Sequence, residues 1–173
     1  MKQIANFHSK INTKIEPATI SLVIQNTLHN VCTGLYFSDY HTACNYAQLQ
    51  QNTITHIINC ASDSCESRNY PGIQYHNAVL QDTIEFDLLG FLSSIIPWID
   101  TLLAQGGRVL VHCSAGRSRG PSVISGYMIW KNHKSVSECA DLLKRLDGEV
   151  DINIGFLMQL ESWSKSLGIK YNE

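Results

Sequence analysis

The stretch Arg108–Val111, RVLV, runs without a linker into the loop HCSAGRS and then into a helix start at Pro121, and this unit limits what the chain can fold into. A strand that is apolar after its first residue, with no polar alternation, belongs inside a sheet covered on both faces. A helix that follows such a strand at once has to cross back over the sheet, which makes neighbouring strands parallel.

The rest of the chain repeats the theme. TISLVI (Thr19–Ile24), GLYFS (Gly34–Ser38), ITHIINC (Ile54–Cys60) and IQYHNAVL (Ile73–Leu80) read as strands by their β-branched and aromatic content. The segment Asp39–Gln51 suits a short helix with Asp39 as N-cap. Leu88, Leu92, Ile95, Ile99 and Leu102 recur at helical spacing; Pro97 is expected to kink or break that helix, and Gly106 and Gly107 to end it. Further helices are predicted over Pro121–Lys131, Ser135–Leu146 and Ile154–Leu167. The fold class is therefore α/β, a central mostly parallel β-sheet flanked by helices, and 173 residues make one domain.

Composition narrows the function. A net charge of −2 gives no basic footprint, so no nucleic-acid partner is expected, and no apolar run is long enough for membrane insertion. The polar start MKQIANFHSKINTKIEP lacks the apolar core of a secretory signal, Lys2 excludes myristoylation, and the end GIKYNE offers no prenylated cysteine. A cytoplasmic or nuclear protein is expected, with its six cysteines reduced. Those cysteines include no Cys-x-x-Cys pair, so no metal and no other cofactor is expected.

The loop after RVLV carries the chemistry. Between a strand and a helix N-terminus, its backbone N–H groups form a concave nest suited to a dianionic phosphate. Cys113 stands at the mouth of this nest, where oriented dipoles and a guanidinium favour thiolate over thiol. Arg119, six residues on, can fold back and hold two phosphate oxygens. In a parallel sheet, reactive groups collect beyond the carboxyl ends of the strands, which brings Cys60, Gln81-Asp82 and His112-Cys113 to one edge. Asp82 is then placed to protonate a leaving oxygen, with Glu85 and Asp87 as rival acids nearby.

These residues resemble the small atypical dual-specificity phosphatases of the cysteine-based protein tyrosine phosphatase superfamily. VHCSAGRSRGPS (Val111–Ser122) is similar to that family's His-Cys-x5-Arg loop, LQDTIEF (Leu80–Phe86) to its general-acid loop, and INIGFLMQL (Ile152–Leu160) to its Asn-x-Gly-Phe-x-x-Gln-Leu helix start. The resemblance implies residues 1–30 as an N-terminal extension with the first strand and residues 31–173 as the catalytic domain. It implies a metal-free reaction on phosphorylated proteins, with Cys113 as nucleophile, Asp82 as acid, Arg119 gripping phosphate, and the amides of Ser114, Ala115, Gly116, Arg117, Ser118 and Arg119 lining the nest. His112 would support the loop, and Cys60 would be a redox partner of Cys113.

One position departs from the family. Gly120 stands where the family usually has a hydroxyl that donates to the cysteine sulfur, which predicts slowed breakdown of a phosphocysteine, with Ser118 or a water as a partial substitute donor. Substrate choice stays open between phosphotyrosine or phosphoserine/threonine proteins and non-protein phosphates such as phosphoinositides, as does a phosphate-binding adaptor with negligible turnover. Arg117 and Tyr70 are the candidate contacts for selecting among them.

Overall fold

The computed structural model describes residues 27–169. The strand expected at Thr19–Ile24 lies outside the described residues. Five strands form one sheet: β1 (His29–Cys32), β2 (Leu35–Ser38), β3 (His56–Asn59), β4 (Gln74–Asn77) and β5 (Val109–His112). Their order is β1-β2-β5-β3-β4. The first pair is antiparallel and the other three pairs are parallel, so the sheet is mixed, parallel from β2 to the β4 edge.

Burial explains this order. All four residues of β2 and all four of β5 are buried, as their unbroken apolar runs predict, while β4 at the edge is largely exposed. Successive side chains leave opposite faces of the sheet. Phe37, Ile58, Val109 and Val111 join the larger core, under three helices: α3 (Leu88–Ala104), α4 (Arg119–Asn132) and α6 (Ile154–Ser166). Tyr36, Ile57 and Leu110, one residue out of phase, join a smaller core with Ala43 and Leu49, from α1 (Tyr40–Ala43) and α2 (Tyr46–Gln51). Each fully buried large side chain contributes about 1.5–3 kcal/mol. The remaining helix, α5 (Val136–Leu146), starts with a capping box between Ser135 and Glu138.

Two local expectations are corrected. The helix expected over Asp39–Gln51 is two helices, because the Asn45 side chain accepts from Gln48 N–H and starts a second one. Asp39 does cap the first, accepting from Thr42 N–H at 2.7 Å. The helix through Pro97 runs unbroken from Leu88 to Ala104. Pro97 itself is exposed, and burial of Ile95, Ile96 and Ile99 around it outweighs one missing hydrogen bond.

The helix expected from Pro121 begins at Arg119, which matters for the site. Residues Gly120 to Ile129 are all buried, so α4 is enclosed on every side rather than amphipathic. Its N-terminus is thereby held directly behind the loop that leaves β5.

Candidate active site

The loop is built by three supports. Gly116 adopts φ +71°, and a Cβ there would lie 3.1 Å from Asp39 N and 3.2 Å from Ser38 C, so only glycine lets the loop close against the end of β2. Tyr40 N–H donates to Ser114 O at 3.0 Å, and Asp151 N–H donates to Arg117 O at 2.9 Å. The backbone of Ser114–Arg119 is thus fastened on both sides, with the α4 N-terminus behind it.

Cys113 leaves the end of β5 and is 2% exposed. His112 before it is also buried. Its Nδ1 lies 3.3 Å from Cys113 O, and because a carbonyl only accepts, Nδ1 carries the proton. Burial lowers the His112 pKa to about 4, so the ring is neutral near pH 7 and acts by holding the backbone of Cys113, not as a cation beside sulfur.

Arg119 folds back across the loop, Nη1 donating to Leu80 O at 3.4 Å. Its Nε is buried without a hydrogen-bond partner; the nearest anion is Asp82, whose Oδ2 is 3.9 Å away. A buried guanidinium donor left unpaired costs stability, and such cost is borne where the group is aimed at an anion. Asp82 is held over the loop: its Oδ1 accepts from Ser118 Oγ at 2.7 Å and from Asn153 Nδ2 at 2.6 Å. The rival acids are placed elsewhere. Asp87 caps α3, accepting from Gly90 N–H at 2.9 Å, and Glu85 is exposed in the loop.

Cys60 stands beside Cys113. Asn59 pairs with His112 in adjacent parallel strands, and Cys60 N–H donates to His112 O at 2.8 Å, so the two cysteines follow in register. Strand spacing of about 4.8 Å lies within the range a disulfide spans. Burial, reinforced by the neighbouring Cys113 and opposed by Arg119, pushes the Cys60 thiol well above its ordinary value. All six cysteines are free.

Three expected contacts are redirected. Ser118, proposed as a substitute donor to sulfur, gives its hydroxyl proton to Asp82. Arg117 points away from the nest, Nε donating to Glu149 O at 2.9 Å and Nη2 lying 3.8 Å from Asp151. Tyr70 is half-buried, stacked on Tyr46 at 4.6 Å with its hydroxyl donating to Cys44 O at 2.6 Å. Asn153, ahead of an apolar helix start, carries an N-cap signal in the sequence, but no local pattern ties it to Asp82.

The family model described as the dual specificity phosphatase catalytic domain matches residues 35–166. The chain belongs to this family. It thus carries a cysteine-based phosphatase domain. It is 30% identical over 130 residues to the protein-tyrosine-phosphatase MKP1 of Arabidopsis thaliana, covering 75% of this chain but only 17% of that protein. Human dual specificity protein phosphatase 26 is 30% identical over 147 residues, covering 82% of this chain and 69% of the relative. Among solved structures, human DUSP28 superposes with a TM-score of 0.76 at 23% identity, covering 82% of this chain and 95% of that one. Among the described residues no helix is long and apolar enough to cross a membrane.

Proposed function

We propose that the protein hydrolyses phosphotyrosine and phosphoserine/threonine in protein substrates through a phosphocysteine intermediate. The observation that carries this is the buried Arg119 Nε, which has no hydrogen-bond partner and faces Asp82 Oδ2 at 3.9 Å, on the loop that begins at Cys113. In the first step Cys113 sulfur attacks phosphorus, the ester P–O bond breaks, and Asp82 gives its proton to the departing oxygen. Arg119 and the loop amides hold the equatorial oxygens as charge builds on them. In the second step water attacks phosphorus, gives its proton to Asp82, and the P–S bond breaks to return the thiolate and release phosphate.

Two features favour protein over phosphoinositide substrates. Arg117, the one extra cation in the loop, is partly engaged by Glu149 O and Asp151, which weakens its pull on a second phosphate. Beside the nest lies a cavity of about 390 Å³ lined by Asp39, Asp147 and Glu149 together with His41, Ser114, Ala115 and Arg117. Its three carboxylates repel a polyphosphorylated headgroup. Phosphotyrosine and phosphothreonine peptides are expected to be hydrolysed with higher kcat/KM than phosphatidylinositol phosphates in vesicles at matched concentration. Faster release from the lipid would overturn the substrate class while leaving the chemistry.

The same reading assigns Cys60 as a redox partner. Peroxide converts the Cys113 thiolate to a sulfenic acid, and Cys60 sulfur then displaces water to form a disulfide, the two electrons having gone to peroxide. The strand register supports it. Peptide mapping after mild peroxide is expected to recover a Cys60–Cys113 disulfide; overoxidised Cys113 with Cys60 still free would refute the assignment.

A further inference from the structure

The start of α6 touches the acid loop at almost every second residue. Asn153 Nδ2 donates to Asp82 Oδ1 at 2.6 Å. Ile84 packs on Gly155 so closely that a Cβ there would lie 2.6 Å from Ile84 Cα. Phe86 stands edge-on to Phe156, with ring centroids 6.3 Å apart. Gln159 Nε2 donates to Phe86 O at 2.8 Å, while its Oε1 accepts from Leu88 N–H at 2.8 Å. Positions 82, 84, 86 and 88 thus meet 153, 155, 156 and 159 in order. The loop itself has no regular secondary structure to fix it.

We infer that the α6 N-terminus is a clamp that positions the general acid, with Asn153 as the positioning residue that sets which carboxyl oxygen delivers the proton. This rests on Asp82 being the acid, as proposed above. Asn153 divides its amide between two tasks: Oδ1 accepts from Phe156 N–H at 2.9 Å and caps α6, while Nδ2 holds Asp82. Ser118 completes the arrangement, donating to Asp82 Oδ1 while its oxygen accepts from Asn153 N–H at 3.2 Å. Oδ1 therefore already accepts two hydrogen bonds, both at 2.7 Å or less. A proton on Asp82 is left to Oδ2, the oxygen that faces Arg119 at 3.9 Å and hence the reacting phosphoryl group. Without Nδ2 the carboxyl is held only by Ser118 on Oδ1, and the proton is aimed less firmly.

The division of tasks makes the inference separable from folding. Asn153→Ser keeps an N-cap oxygen but has no second group to reach Asp82. Asn153→Asp keeps cap and shape but sets an acceptor against Asp82. Both are expected to retain the unfolding temperature within a few degrees. On phenyl phosphate, whose departing oxygen needs a proton, kcat/KM is expected to fall about tenfold in Asn153→Ser and further in Asn153→Asp. On para-nitrophenyl phosphate, whose leaving group departs more easily, the fall is expected to stay within about twofold. kcat/KM is read because it covers only the steps through loss of the leaving group.

Asp82→Asn provides the control. In that background Asn153→Ser is expected to cost nothing more, since there is no acid left to aim. Equal losses on both substrates, or full additivity with Asp82→Asn, would overturn the clamp. An Asp82→Asn variant that shows no leaving-group dependence would instead remove Asp82 as the acid, a different failure.

Discussion

Cys113→Ser is expected to abolish phosphate release, with kcat falling on the order of 10⁴-fold or more. The change removes little volume at a site that is 2% exposed, so the fold should persist with an unaltered unfolding temperature. What disappears is the nucleophile, because a serine oxygen attacks phosphorus far less readily than sulfur does. The nest, Arg119 and the helix N-terminus all remain, so the variant should still bind phosphorylated substrate. Loss of binding together with turnover would indicate a collapsed loop, and is checked by phosphopeptide titration. Activity within about tenfold of the parent would mean that Cys113 is not the attacking atom.

The second large effect runs in the opposite direction. Gly120→Ser is expected to raise steady-state turnover by roughly ten- to a hundredfold. A Cβ at Gly120 would lie 3.7 Å from Cys113 Sγ and 3.7 Å from Cys113 N, ordinary contact distances, so a side chain can start there without a clash at its first atom. From there its hydroxyl can donate to the sulfur, and a hydrogen bond to a charged group is worth about 1.5–3 kcal/mol. Ser118, the loop hydroxyl expected to substitute, is already committed to Asp82. Phosphoenzyme breakdown, in which sulfur leaves as thiolate, is the step that gains most. An unchanged kcat in a folded Gly120→Ser variant would show that this step does not limit the enzyme.

The path from sequence to site was legible wherever a local rule and the tertiary fold agree. The apolar part of RVLV, Val109–Val111, is buried and lies in the central strand of the sheet, as an unbroken apolar run requires. Gly116 occupies the positive-φ position that a nest needs, and Asp39 caps the helix it precedes. The departures are equally physical. Pro97 is tolerated because its neighbours on the buried face are isoleucines packed in the core. The splitting at Asn45 rests on one side-chain cap that no periodicity encodes.

At the site, residue types and the shared sheet edge were readable, but the partners of each polar group were not. Nothing in the spacing tells that Ser118 turns to Asp82 or that Arg117 turns to Glu149, because those partners are 36 and 32 residues away in sequence. Asn153, 71 residues from Asp82, is the extreme case. Its capping role is local and therefore visible in the sequence, whereas its hold on Asp82 exists only once α6 has packed against α3 and α4.

The measurement that tests the account most directly is a rapid-quench time course with para-nitrophenyl phosphate. The account predicts a fast burst of para-nitrophenol, stoichiometric with protein and absent from Cys113→Ser, followed by slow turnover while phosphate remains attached to Cys113. No release of para-nitrophenol, with inorganic phosphate still bound by the loop, would contradict it and leave a phosphate-binding module in place of an enzyme.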